Sequence, residues 1–492
     1  MATSYFIVTI GIVLAKFLGL FRDAAFASVF GTTALTDIYF QVFGLVTLIF
    51  TSVGLAFQTI LIKNMNKKGI DTKEKQETYV CTFITKVTLF MLALLALLYL
   101  LSAPLTRLLL PDIDSENFLF AVKLMHIMLP SFLFVVIAYI MSGALQNRKV
   151  FFITSIVSLP YNVLILASLV FPGISIETIG FLTTLGWFLH IMIQLPAFYK
   201  AGYRLFSLRV RLLGKTRVNT EVVFIFISNM MVQLCFVIDK AFVSGHEGMI
   251  TSINYASNLF MQISSVFVVA MTSVVFPSLS QNYESGNMDK VQELLRYIIT
   301  VMLSVFVAFL LVVSVFGTSI IRLVYERGSF TVASTGMTAM VFVFYCFGVF
   351  GYIAQEELNK ILYLGNRYLY TVLGAVAVLA LKVLIDSQTN DVRWIAGSTT
   401  ILLTAYSLMT ILAIRKVIGA YLNRTLLTDI GKILLSGAVA LIFYFGFRFF
   451  APSLIAHRIL FIIPLCVCGL VYIGMLYGLK ILKVILQKGE LN

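Results

Sequence analysis

The chain has 492 residues, 60% of them hydrophobic and only 12% charged, about half the charged share of a soluble domain. Lipid rather than water is the solvent for most of it, which excludes a string of soluble globular domains. The formal net charge of +14 would suit nucleic acid, so the placement of the charges decides its meaning.

Taken in order, fourteen apolar stretches of about 20 residues run from Tyr5 to Leu486. Each is long enough to cross a hydrocarbon core of about 30 Å as a helix that satisfies its own backbone. Spans are predicted at 5–30, 35–62, 79–102, 118–145, 151–172, 177–199, 219–244, 249–275, 294–317, 333–362, 368–386, 393–414, 430–450 and 459–485. The first has no charged segment ahead of it and more spans follow, so a cleaved leader is not expected. The breaks carry Pro, Gly or charge, as at Pro111, Pro172-Gly173, Pro277 and Gly365. The longest basic loop, Lys200 to Arg217, follows the sixth span and reads as a linker. The expected fold is an all-α polytopic membrane protein with 14 transmembrane helices. A six-helix lobe at 1–215 and a second at 216–420 would surround a central cavity, with helices 13 and 14 and a tail at 421–492.

A weak internal repeat agrees with that division. Leu105-Thr106-Arg107-Leu108-Leu109 after the third span matches Ile320-Ile321-Arg322-Leu323-Val324 after the ninth. At nearly the same offset, Asp37-Ile38-Tyr39-Phe40 falls on Ile253-Asn254-Tyr255-Ala256. Six spans is an even number, so the halves enter the membrane in the same direction, related by an axis along its normal.

Lys and Arg alternate between rich and poor gaps. Lys63 to Lys75, Arg148-Lys149, Lys200 to Arg217, Lys290 and Arg296, Arg367, Arg415 to Lys432 and Lys480 to Lys488 hold about four times as many as the opposite set, Arg107, Arg322, Arg327, Arg393, Arg448 and Arg458. By the positive-inside rule both termini are cytoplasmic. Basicity here reports orientation, and no nucleic-acid partner is expected.

Ionisable groups inside spans are the functional candidates, because each costs a few kcal/mol at the bilayer centre. They are Lys16, Arg22, Asp23, Asp37, Lys86, Lys123, Asp239, Lys240, Glu356, Glu357, Lys360 and Lys382. Lys16, Gly19, Arg22 and Asp23 follow i, i+3, i+6, i+7 spacing and form one stripe on the first helix. Two cations on a buried stripe suit an anionic ligand; alternatively Arg22 pairs with Asp23 or Asp37 and Lys16 snorkels. Glu356, Glu357 and Lys360 fall at the cytoplasmic end of the tenth span, where solvated pairing is expected. Asp239 lies about 27 Å along the seventh span and Lys382 about 21 Å along the eleventh, both in the outer half. They could pair between lobes, or Asp239 could pair with Lys240.

Enzyme signatures are thin. Asp112-Ile113-Asp114 has the D-x-D form of glycosyltransferases but falls in an outside loop, where nucleotide sugars are absent. His126, His190, His246 and His457 are scattered, without ligand spacing. There is no Walker A motif. The cysteines, odd in number, mostly lie in apolar runs, and Cys466 and Cys468 face apart on a helix, so no disulfide framework is implied. No enzyme activity, cofactor or metal is expected.

Ala15-Lys16-Phe17-Leu18-Gly19-Leu20-Phe21-Arg22-Asp23, then Ala27, Phe30-Gly31 and Thr36-Asp37, are similar to the opening of the lipid II flippase family (MurJ/MviN), within the superfamily of multidrug and oligosaccharidyl-lipid exporters. Gln194-Leu195-Pro196, Asn254-Tyr255-Ala256, Phe276-Pro277-Ser278-Leu279-Ser280 and Arg327-Gly328-Ser329-Phe330-Thr331 extend the resemblance over about the first 420 residues. It implies 14 helices, two lobes and alternating access to a cationic cavity for a lipid-linked pyrophosphate, with Lys16, Arg22, Asp23, Asp37 and Asn258 at substrate-binding positions. It also implies a coupling site on the seventh, eleventh and twelfth helices, at Asp239, Lys382, Ser398 and Thr399, where members of the family can hold sodium; the Lys382 ammonium would replace that ion.

Three departures stand out. Lys16 replaces an arginine, Gly44 to Thr51 replaces a Pro-Asn-Leu-Leu-Arg-Arg segment, and Asn258 stands where an arginine is usual. They favour a related carrier lipid, such as an undecaprenyl-pyrophosphate-linked capsule, O-antigen or exopolysaccharide unit, over lipid II itself as cargo. The expected function is a lipid-linked oligosaccharide flippase, acting as a monomer beside glycan-assembly enzymes. The rivals are a cation-coupled drug antiporter of the same superfamily, which would need an acidic cavity, and a membrane-embedded polymerase or glycosyltransferase, which would need a large outer loop.

Overall fold

The computed structural model describes residues 2–65, 72–205, 220–419, 421 and 424–486. All fourteen predicted spans are helical over their described residues, several of them as two pieces joined at a break. Eight helices are individually long and apolar enough to cross a membrane, or nine if a pair bent by 43° counts as one, among the described residues. The chain forms two compact units, Met1–Thr251 with Arg327–Phe330, and Ser252–Glu326 with Thr331–Asn492.

The first unit holds α1 (Ala2–Phe30), α2 (Ala34–Gly44), a π-helical turn (Leu45–Phe50), α3 (Thr51–Met65), α4 (Lys73–Leu100), α5 (Ser102–Leu109), α6 (Ser115–Met128), α7 (Ser131–Asn147), α8 (Phe151–Ser155), α9 (Leu159–Ser168), α10 (Ile176–Lys200) and α11 (Thr220–Phe242). Its helix starts are written in the sequence. Thr33 accepts from the backbone N–H of Thr36 while the Thr36 hydroxyl accepts from that of Thr33, a reciprocal cap that begins α2. Asp114 and Ser175 accept from the N–H groups of Asn117 and Thr178 to begin α6 and α10. Small residues set the closest approach. A Cβ on Gly54 would lie 2.8 Å from the Tyr139 ring and one on Gly143 2.8 Å from Gln58 Cγ, so α3 and α7 pack more closely than larger residues would allow.

The second unit holds α12 (Met249–Val274), whose first residues belong to the first unit, then α13 (Phe276–Glu284), α14 (Met288–Tyr325), α15 (Val332–Phe347), α16 (Val349–Leu364), α17 (Tyr368–Asp386), α18 (Val392–Ile418), α19 (Arg424–Phe450), α20 (Pro452–Ala456), α21 (Ile462–Gly478) and α22 (Ile481–Leu486). The bent pair is α15 and α16, joined at Gly348. A Cβ on Gly351 would stand 2.7 Å from the Leu403 carbonyl carbon, which places α16 against the backbone of α18. Spans 13 and 14 fold onto the long α14 through Val307, Ile433, Ala440, Tyr472 and Leu476, and the Tyr472 hydroxyl donates to the Ser304 carbonyl at 2.8 Å. The remaining faces of α19, with Phe445, Phe449 and Phe450 exposed, suit lipid contact.

The seventh span sits differently from its place in the sequence division. The boundary drawn at 215 separates α11 from the first six spans, whereas α11 packs on α2, α3 and α5 and belongs to the first unit. Most of the basic linker, including Arg209, Arg211, Lys215 and Arg217, lies outside the described residues, as do Lys67, Lys68 and Lys488. The Gly44 to Thr51 departure coincides with the π-helical turn, a rare element that recurs at functional sites.

Candidate functional site

In the first unit the charged stripe of α1 meets α9. The Arg22 guanidinium donates to Asp23 Oδ1 from Nε at 3.0 Å and Nη2 at 2.6 Å, and to Asn162 Oδ1 from Nη1 at 3.0 Å. Its Cζ lies 5.0 Å from the centre of the Tyr161 ring. The side chain is 15% exposed and that of Asp23 5%. Three of its five N–H donors are held, leaving two for an acceptor outside this cluster among the described residues. Lys16 is half-buried two turns earlier, and Gly19 between them faces open space. The pairing of Arg22 with Asp23, one of the two sequence-level alternatives, is the one formed. Asn162 and Tyr161 were not legible, since 140 residues separate Asn162 from Arg22.

Asp37, also expected at a substrate-binding position, holds the start of a helix. Its carboxylate is buried and accepts from the backbone N–H of Gly248 at 2.6 Å, the N–H of Thr251 at 2.7 Å and the Thr251 hydroxyl at 2.6 Å. These are the orphan donors of the first turn of α12, so Asp37 acts as a remote N-cap that also complements the helix dipole. Beside it, Asp239 and Lys240 are both buried on α11. Lys240 Nζ reaches the Phe40 carbonyl at 3.5 Å.

In the second unit Lys382, Asp386 and Ser398 form a closed cluster. Lys382 Nζ lies 2.7 Å from Asp386 Oδ2 and donates to the Ile395 carbonyl at 2.7 Å and to Ser398 Oγ at 2.6 Å. Ser398 Oγ is 2.8 Å from Asp386 Oδ1. The ammonium thus has two hydrogen-bond acceptors and an ion-pair partner, with no exposed surface on either charged side chain. Within the second unit, then, a carboxylate of its own helix, Asp386, pairs with Lys382. Asp386 lies one turn further along the same helix, so the pair forms without an approach between helices. The i, i+4 spacing was legible, but Asp386 sits at the predicted end of its span. Thr399 is buried next to Ser398, and Asn258 is half-buried on α12.

Other candidates have local roles. Asp114 of the D-x-D accepts from the N–H and Nδ2 of Asn117, which holds its carboxyl below the usual range; Asp112 is bonded to Ser244. His126 Nε2 lies 2.7 Å from the Ser102 hydroxyl, and His457 Nδ1 accepts from two backbone N–H groups. Lys360 pairs with Glu357 at 3.0 Å, but Glu357 is buried rather than solvated. All five cysteines are free thiols.

Eight or nine helices long and apolar enough to cross a membrane, among the described residues, make this a polytopic membrane protein. A solved structure, "Lipid II flippase MurJ, inward closed conformation", shares the fold with a TM-score of 0.75 at 20% identity, covering 96% of this chain and 99% of that one. An inward-facing multidrug resistance MATE family transporter of the MOP superfamily follows at TM-score 0.60 and 14% identity, covering 85% and 98%. A probable lipid II flippase MurJ of Buchnera aphidicola subsp. Schizaphis graminum (strain Sg) is 24% identical over 73% of this chain and 72% of its own. Residues 26–465 match the family "Lipid II flippase MurJ", and the chain belongs to it. It is thus a multi-pass transporter of the inner membrane, a flippase and not an enzyme.

Proposed function

We propose that this chain carries a polyprenyl-pyrophosphate-linked glycan, lipid II in the first place, from the inner to the outer leaflet by alternating access between two lobes. The pyrophosphate and sugars cannot cross hydrocarbon unaided, while the polyprenyl tail stays in lipid. The observation that carries the reading is Arg22, oriented by Asp23, Asn162 and Tyr161 with donors still uncommitted, on the same stripe as Lys16. A buried, pre-oriented guanidinium suits a phosphate oxygen. The chain works as a monomer beside glycan-assembly enzymes, with both termini in the cytoplasm.

A second cargo, another glycan on the same carrier, is favoured by the absence of arginine at 44–51 and at Asn258. Coupling falls to Asp239 in the first unit and Lys382, Ser398 and Thr399 in the second, with Lys382 as a permanent cation that makes transport independent of sodium. The test is reconstitution in liposomes with lipid II, or an undecaprenyl-pyrophosphate capsule unit, in one leaflet. Protein-dependent exposure of the headgroup to an impermeant reagent is expected, without sodium. Transfer of neither lipid would refute the function, and strict sodium dependence would refute the coupling role.

A further inference from the structure

Within the first unit, Leu55 and Gln58 of α3, Tyr139, Ser142 and Gln146 of α7, Thr154 and Ser158 around α8, and Trp187 and His190 of α10 border a cleft of about 380 Å³. That falls in the range of small-ligand pockets, about 300–1,000 Å³, and far exceeds the roughly 30 Å³ share of one water. None of its described lining residues is charged. Three side-chain atoms of the residues that border it, Trp187 Nε1, His190 Nε2 and Gln58 Oε1, have no hydrogen-bond partner and are closed to solvent in this conformation, so a ligand meets them through a turn of these side chains toward the cleft. Trp187 is 7% and His190 5% exposed, and such atoms are rarely left unsatisfied without a ligand or water.

The chemistry of the set selects its ligand. Trp187 can only donate, Gln58 Oε1 can only accept, and neutral His190 does one or the other. An anion would find no cation, and an apolar molecule would offer these three atoms no partner. A polyhydroxylated or N-acetylated ring offers both donors and acceptors at its edge and an apolar face for the indole.

The pocket adjoins the cationic cluster through one ring. Arg22 lies over Tyr161, and Tyr161 stacks on Trp187 at 6.2 Å and 21° while meeting His190 edge-on at 6.2 Å. Trp187 and His190 are themselves 4.5 Å apart. We infer that this pocket is a neutral subsite for the first sugar of the lipid-linked headgroup, read beside the pyrophosphate at Arg22. The assignment rests on the flippase reading above and adds to it a site that selects glycosylated carrier over bare carrier.

Trp187 and Trp394 are the two tryptophans of the chain, and Trp394 is 60% exposed, so Trp394→Phe in the full-length protein leaves Trp187 as sole reporter. In nanodiscs this protein is titrated with undecaprenyl pyrophosphate and with the same lipid bearing one N-acetylhexosamine, following retention of radiolabelled lipid and Trp187 emission. Both lipids should bind, only the glycosylated one should shift the emission, and Arg22→Ala should weaken both. His190→Ala and the half-buried Gln58→Leu should each weaken the glycosylated lipid about five- to tenfold and leave bare carrier unchanged. If both lipids bind alike and the pocket variants alter neither, or both equally, the subsite is refuted while the flippase reading stands. If neither lipid binds the unsubstituted protein, the flippase reading falls and the subsite with it.

Discussion

Arg22 shows how much one residue's role depends on neighbours that its local sequence does not reveal. Its charge and its stripe with Lys16 were legible from spacing, and Asp23 from adjacency. What orients it, Asn162 and Tyr161, comes from α9 through tertiary packing. If Arg22 binds pyrophosphate, each charge-assisted hydrogen bond contributes about 1.5–3 kcal/mol, or roughly ten- to hundredfold in affinity. Arg22→Ala is therefore expected to abolish headgroup transfer while the protein still reaches the membrane, measured by lipid exposure alongside membrane abundance. Lys16→Arg should keep most activity and Lys16→Ala should not, because only the first retains the cation. Asp37 gives a contrasting residue-scale expectation. Asp37→Asn removes charge from the first turn of α12, an interaction of about 0.3–1 kcal/mol, or up to 2 when partly buried, so a lowered melting temperature in detergent is expected. An unchanged melting temperature with lost substrate binding would return Asp37 to the substrate site.

Elements carry the next set of consequences, because α17 and α18 are joined by a charge that cannot leave without cost. Lys382→Met leaves the Asp386 carboxylate buried beside an apolar chain, and breaking such a pair costs about 3–5 kcal/mol. Lys382→Met should thus destabilise strongly, while Lys382→Met/Asp386→Asn should recover much of the loss, since it removes both charges. Thermal unfolding of the purified variants checks this, and a double variant no more stable than the single one would show that the pair is not the controlling contact. The seam between α16 and α18 depends on the absence of a side chain rather than on a charge. Gly351→Ala drives a Cβ into the Leu403 backbone, and overpacking of this kind costs about 1–3 kcal/mol. The same unfolding measurement should register it, with Gly336→Ala as a control in open space. The need for glycine at 351 was hidden in the sequence, where nothing marks which face of a helix meets another backbone.

At the scale of the whole molecule, hydropathy made the span number legible because bilayer thickness fixes helix length whatever the tertiary contacts. The lobe boundary was less legible. Charge and loop length locate α11 after the linker, yet its packing on α2, α3 and α5 is decided by side-chain fit, which a loop does not record. Buried pairing was legible only in part for the same reason: Lys382 stood out as a cation inside a span, whereas Asp386 at the span's end looked like a boundary residue. Orientation, by contrast, rests on a whole-chain asymmetry of Lys and Arg, which acts through insertion rather than packing. It predicts that cysteines introduced at Lys68 and Lys215, in a background without the five natural thiols, resist an impermeant maleimide in intact cells and react once the membrane is opened. Cysteines at Thr33 and Ser115, which begin α2 and α6 at the opposite ends of their spans, should react from outside. Thr33 carries a cap, so the Ser115 variant is the cleaner reporter of the pair. Labelling of Lys215→Cys in intact cells, with Ser115→Cys protected, would invert the topology and with it the direction in which Lys16 and Arg22 first meet the headgroup.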